Sequence, residues 1–199
     1  MTDISDTRTR ILEAAMSVIE DTGEGALRVQ KIAESVGVRE PSVYHFFKNR
    51  EELVEAAHIE RYRRSHLEMV RPFQAGAALA DNAEDFRRIV KKILSLVYSA
   101  EREDIRSTRM SVLGAAQTSP KIAEAIRQIN FEVFSKVAEV FATAQEKNWI
   151  RKEVDPLAAA YWINGQILGR VMAEMDKERV DLDKWNQISE TAVSYFLFG

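Results

Sequence analysis

Apolar residues recur at three- and four-residue intervals along almost the whole chain, which is the helical period. Ile11, Leu12, Ala15, Val18 and Ile19 predict a first helix over about 7–21, with Asp6 as its N-cap and Gly23 and Gly25 beyond its end. Val29, Ile32, Ala33 and Val36 predict a second, short helix. It ends at Gly37, where a left-handed residue commonly closes a helix and glycine adopts that backbone without strain. Pro41 suits the first position of a third helix, since its missing N–H would be unpaired there anyway. Asn49 and Glu52 form a capping box for a fourth helix, expected to run through 61–64 to about Val70 and to stop at Pro72.

Residues 73–85, with Gly76, Asp81 and Asn82, read as an irregular connection. Phe86, Ile89, Val90, Ile93, Leu94 and Val97 define the next helix, and Ile105, Met110, Leu113 and Ala116 a less regular one. Ser119-Pro120 and Asp155-Pro156 are both cap-then-proline starts. The first opens a long helix with Ile122, Ile126, Ile129, Val133, Phe134, Val137, Val140 and Phe141 on its apolar ladder. The second opens a helix to about Lys177, and a last one spans about 183–198. No period-two run or hairpin turn occurs, so the fold class is all-α.

Composition narrows the function more than the fold. A chain of 199 residues can bury one or two cores. The absence of cysteine excludes disulfides and thiolate metal sites and fits a cytoplasmic protein. The start lacks a basic segment followed by an apolar run, so no signal peptide is expected. No stretch is apolar for long enough to span a membrane. A net charge of −3 argues mildly against nucleic-acid binding, but phosphate contacts depend on where the cations sit. Arg28, Lys31, Arg39, Lys48 and Arg50 surround the second and third helices, opposed by Glu34 and Glu40, and Arg8 and Arg10 lie near the start of the first.

The third helix carries the candidate chemistry. Val43, Phe46 and Phe47 share one side and can anchor it, while Pro41, Tyr44 and His45 share the other with Ser42 at the border. Helix, glycine turn and anchored short helix form a helix-turn-helix, whose second helix enters the DNA major groove. An ordinary helical hairpin with a solvated face fits the same spacing. Lys48, beside the next helix N-terminus, is the foremost candidate for a phosphate clamp.

The literal sequence of 25–53, above all Ile32-Ala33, Gly37-Val38, Val43-Tyr44-His45-Phe46-Phe47 and Arg50-Glu51-Glu52-Leu53, resembles the DNA-binding domain of the tetracycline-repressor family. The resemblance implies a dimeric DNA-binding regulator of palindromic operators, with a C-terminal domain that dimerises and usually accepts a small-molecule inducer. It divides the chain into a helix-turn-helix domain (1–48), a connecting helix (49–72) and an effector-binding and dimerisation domain (73–199). The family usually has Ser or Thr capping the two short helices. Here Arg28 and Arg39 stand near those places, exchanging caps for possible phosphate contacts. The expected DNA-binding set is Arg28, Lys31, Arg39, Pro41, Ser42, Tyr44, His45 and Lys48.

Gly165 and Gly169 lie four apart on one helical face, where each costs about 1 kcal/mol relative to alanine. With the apolar end Tyr195-Phe196-Leu197-Phe198 they suggest a four-helix dimer contact, to which Gly165, Gly169, Trp185, Ala192 and Phe196 are assigned. Packing within one chain is the plainer alternative. Phe86, Ile89, Ile93, Met110, Leu113, Phe134 and Trp162, with Gln166 as a polar contact, are assigned to an effector pocket, although such residues fill ordinary cores too. No basic cluster is expected on those inward faces, so an uncharged or lipophilic effector is expected.

Enzymatic chemistry finds little support. Glu55 and His58 have the three-residue spacing used by helical di-iron proteins, but no second Glu-x-x-His exists, so a solvated surface pair is expected. There is no phosphate-binding glycine loop, no Gly-x-Ser-x-Gly and no cysteine nucleophile. Neither cofactor nor metal is expected. The sequence therefore reads as a homodimeric repressor released from a DNA operator by a small molecule. An orphan regulator without a ligand, or a helical enzyme or scaffold, are the alternatives.

Overall fold

Two separate apolar cores share one long helix. The computed structural model describes residues 4–199, whose nine α-helices are α1 (Ile4–Thr22), α2 (Val29–Ser35), α3 (Glu40–Phe46), α4 (Arg50–Ala78), α5 (Ala83–Val97), α6 (Glu103–Ala116), α7 (Pro120–Glu146), α8 (Pro156–Glu174) and α9 (Leu182–Phe198). No strand occurs among the described residues. The smaller core joins α1, α2, α3 and the start of α4 through Ile11, Ala15, Ile19, Leu27, Ile32, Val43, Phe47, Leu53 and Ala57. The larger begins further along α4, at Tyr62, Met69, Val70 and Phe73, and takes in α5 to α9.

The N-caps follow their side chains. Asn49, Asn82, Ser119, Asp155 and Asp181 each accept a backbone N–H from the first turn they precede, satisfying donors that no helical carbonyl can reach. α1 begins at Ile4, so Asp6 lies inside its first turn rather than capping it. α8 stops at Glu174, short of Lys177.

Pro72 does not end α4. The helix passes through it to Ala78, leaving only 79–82 as the connection to α5. Proline in a helix interior costs about 3 kcal/mol or more in lost hydrogen bonding and crowding. Here its own ring is exposed while the neighbouring Met69, Val70 and Phe73 are buried, and each such side chain contributes roughly 1.5–3 kcal/mol. Burial therefore outweighs the break. Gly76 extends this packing, since a Cβ there would stand 3.3 Å from Ile89 Cγ2.

α6 turns inward the side its apolar spacing suggested, with Leu113 and Ala116 packed against the larger core, but Met110 lies off that side and two arginines share it. Its buried residues are Arg106, Arg109 and Val112, while Met110 is exposed and Ile105 half-buried. Arg106 lies deepest. Its Nη1 and Nη2 donate to the carbonyls of Val97 (2.7 Å) and Ser99 (2.9 Å), its Nε donates to Glu174 Oε1 (3.0 Å), and Arg170 Nη1 meets the same carboxylate oxygen. This buried cluster ties the end of α5 and helix α6 to α8, and the Arg170 Nε–Asn186 Oδ1 bond (2.8 Å) extends it to α9.

Glu55 and His58 are not a solvated pair either. His58 is buried and its Nε2 lies 2.8 Å from Glu24 Oε2, closing the loop before α2 onto α4. Glu55 instead receives Ser119 Oγ (2.6 Å) and Lys121 Nζ (3.3 Å) from α7. Burial of α4 against both cores decides both partners.

Candidate nucleic-acid interface and effector cavity

The turn between α2 and α3 has the geometry its glycine predicts. Gly37 takes φ +72°, and the Val38 N–H reaches back to the Ala33 carbonyl at 3.0 Å, satisfying a carbonyl at the end of α2. Val43 and Phe47 are buried in the smaller core and Phe46 is half-buried. Pro41, Tyr44 and His45 are exposed on the opposite side, with Ser42 half-buried between them. Partial desolvation and the neighbouring Glu40 carboxylate, which the phenol hydrogen-bonds, raise the Tyr44 hydroxyl above its ordinary range.

The nearby cations divide into two groups. Lys31, Arg39 and Lys48 are exposed and make no ion pair among the described residues. Arg28 folds back, donating from Nη1 to the carbonyls of Gly25 (2.7 Å) and Leu27 (3.0 Å). Arg50 joins it at Leu27 through Nε (3.0 Å) and also meets the Glu24 carbonyl. Arg10 donates to the Val36 carbonyl, and the Arg8 guanidinium stands 5.1 Å from the centre of the Phe47 ring. Neither Arg28 nor Arg39 caps its helix through its side chain. The Lys48 backbone N–H donates to Glu52 Oε2 (2.7 Å), which, with Lys121, holds the Glu52 carboxyl below its usual range.

A cavity of about 100 Å³ lies among α4, α5, α6, α7 and α8. Its wall is mainly Val, Ile, Leu, Met and Phe, interrupted by His66, Arg109 and Asn164. Of the residues assigned to a pocket from sequence, Ile93 and Phe134 line it. Phe86 packs on Trp149 at a ring separation of 5.9 Å, Ile89 meets Gly76, Met110 faces out, Leu113 packs against the larger core, Trp162 stacks near Phe196 (5.2 Å), and Gln166 lies outside the lining.

Of the polar lining, residue spacing offers Asn164 but neither His66 nor Arg109. Arg109 donates from Nε to Ser65 Oγ (3.1 Å) and from Nη2 to the Ser65 carbonyl, and no carboxylate pairs with it among the described residues. Burial lowers its pKa to about 10. Burial first, and the Arg109 charge second, push His66 down to about 3, so its imidazole is neutral. One inward cation, not a basic cluster, thus joins the wall, because arginine's long stem buries while the oxygens of Ser65 hold its head.

On α8 and α9, Met172, Ile188 and Tyr195 are exposed by 70% or more, and Ala192 and Gly165 are exposed beside them. A Cβ at Gly165 would meet nothing within 4 Å, while one at Gly169 would touch Trp185 Cζ2 at 4.0 Å. Gly169, Trp185 and the half-buried Phe196 therefore already have neighbours within the chain.

With this geometry in view, known proteins are informative. Residues 11–57 match the family model described as bacterial regulatory proteins, tetR family. The HTH-type transcriptional regulator UidR of Escherichia coli (strain K12) is 23% identical over 177 residues, covering 89% of this chain and 85% of UidR. A tetR-family regulator from Mesorhizobium loti superposes with a TM-score of 0.75 at 17% identity, covering 98% of this chain and 97% of that one. A regulator from Saccharomonospora viridis, solved in complex with choline, gives 0.72 at 18% identity over 98% and 99% of the two chains. Among the described residues no helix is long and apolar enough to cross a membrane. The chain carries a tetR-family regulatory domain at residues 11–57 and is similar along most of its length to bacterial transcriptional regulators of that family.

Proposed function

We propose that the protein is a homodimeric, ligand-responsive repressor that acts in the cytoplasm on a pseudo-palindromic DNA operator. Pro41, Ser42, Tyr44 and His45 face base edges and sugars in the major groove, where Ser42 exchanges a hydrogen bond and the Tyr44 ring packs on a sugar or thymine methyl. Lys31, Arg39 and Lys48 hold phosphates and set register. Arg28 joins them by releasing its loop carbonyls. The apolar α8–α9 face, with Gly165, Ile188, Ala192 and Tyr195, meets its two-fold copy, and such a surface is too apolar to leave in water.

One observation carries the ligand-responsive part of this reading. α4 starts four residues after α3 ends, contributes Leu53 and Ala57 to the reading domain, and then lines the cavity with His66, Met69, Val70 and Phe73. From Arg50 to His66 is about 24 Å at 1.5 Å per residue. A tilt of about 5° imposed at the cavity therefore displaces the head by about 2 Å. The cavity is smaller than the roughly 150 Å³ void that accepts benzene, so a larger effector must spread its walls, α4 among them. Its preference for that spread form lowers DNA affinity by the same factor. The Saccharomonospora viridis neighbour holds choline, in keeping with a small-molecule site on this fold.

Selection of bound duplexes from a random DNA pool at two salt concentrations tests the reading. A palindrome with half-sites about one helical turn or slightly more apart is expected. Recovery of no motif, or of a single unrepeated half-site, refutes it.

A further inference from the structure

The three polar groups in the cavity wall are unequally satisfied, and their mismatch describes a ligand. His66 Nδ1 lies 3.0 Å from the Tyr62 carbonyl, an acceptor only, so Nδ1 carries the ring proton and Nε2 presents a lone pair. That buried Nε2 has no hydrogen-bond partner. Arg109 spends Nε and Nη2 on Ser65, and Nη1 makes no hydrogen bond among the described residues. The two side chains are brought together by Ser65 Oγ, 3.1 Å from Arg109 Nε and 3.3 Å from His66 Nδ1. The Asn164 amide also makes no hydrogen bond among the described residues, and it is buried in the same wall. A buried cation without a counter-charge next to an acceptor without a donor is costly to keep in an apolar site.

We propose that the cavity takes a compact lipophilic carboxylic acid together with its proton. Arg109 holds one carboxyl oxygen, and the proton on the other is donated to, or passed onto, His66 Nε2. In the second case the O–H bond breaks, an Nε2–H bond forms, and a carboxylate remains between guanidinium and imidazolium. Either way one proton enters with the acid. The groups facing His66 are Tyr62 from its own helix, Arg109 from α6, Phe134 from α7 and Asn164 from α8. No carboxylate on these elements is within 4 Å to supply that proton or to neutralise Arg109. Because the same guanidinium holds Ser65, an acid on its free edge draws on the clasp between α6 and the helix that carries the reading head.

This inference rests on the cavity being the effector site, and the test separates the two. Cyclohexanecarboxylate, cyclohexylmethanol and cyclohexylmethylamine are matched in shape and differ in charge. Calorimetry with the full-length protein at pH 7 is expected to show the acid binding about tenfold or more tightly than the alcohol, the amine not binding, and close to one proton taken up per acid bound. Proton uptake is read by repeating the titration in buffers of different ionisation enthalpy. Arg109→Met should erase the acid preference, and Arg109→Lys should restore part of it. His66→Met leaves the Ser65 clasp in place and should abolish the proton uptake, which covers the case in which Arg109→Met fails to fold. Binding of the alcohol as tightly as the acid, or acid binding without proton uptake, overturns the acid-plus-proton proposal while leaving an effector cavity. Binding of none of the three overturns the effector-site reading as well.

Discussion

Replacing Glu174 by glutamine isolates the charge of the buried cluster that joins α5, α6, α8 and α9. Glu174 is 6% exposed, Arg106 1% and Arg170 3%. Glutamine keeps an acceptor of the same size at Oε1 but removes the one carboxylate that meets both guanidinium groups. Burial already lowers the Arg170 pKa, with the charge of Arg106 adding to the effect, so the variant leaves two desolvated cations with only carbonyls and Asn186 as partners. Breaking a buried ion pair from one side costs about 3–5 kcal/mol. For a chain of this size each kcal/mol lowers Tm by about 2–4 °C, so the fall should lie between about 6 and 20 °C. Differential scanning calorimetry at fixed protomer concentration reads it directly, since the proposed dimer would make Tm concentration-dependent. A fall of less than about 3 °C would show that the cluster is well hydrated in solution and that α6 is not fastened through its arginines.

Four further expectations address the helix-turn-helix and the cavity. Lys48→Ala should weaken binding to every DNA sequence and reduce the salt slope by about one per protomer, whereas Tyr44→Ala should weaken operator binding far more than binding to random duplex. An unchanged slope for the first, or equal losses for the second, removes the assigned role. Gly37→Ala meets no neighbouring atom within 4 Å, so its cost comes from φ +72° alone, about 1–2 kcal/mol, visible as a lower urea midpoint. The neutral His66, pushed from an ordinary 6.5 to about 3, contributes stability that is present above pH 6.5 and is lost as pH falls towards 3. The loss is roughly 1.4 kcal/mol per unit, and His66→Gln should flatten the stability profile between pH 6.5 and 5.

Much of the architecture is written locally. The period of apolar residues, the Asn, Ser and Asp caps and the Gly37 turn are each decided within a few residues, and they define an all-α chain with an anchored third helix. The sides of that helix follow too, because Val43 and Phe47 have one core to enter and Tyr44 has none. Local rules fail where burial depends on distant partners. Pro72 reads as a stop, yet the contacts of Phe73 and Gly76 carry α4 past it. Arg106 and Arg109 carry no apolar signal in the sequence, yet carbonyls of Val97, Ser99 and Ser65 and a carboxylate 68 residues away make the interior their place. The helical class, most of the helices and the exposed side of α3 were thus determined by the sequence alone. The burial of Arg106 and Arg109, and the place of Arg109 and His66 in the cavity wall, were decided only by the tertiary structure. A residue's neighbours in sequence record its average preference for burial, but whether a charge can be buried depends on which oxygens the fold brings to it.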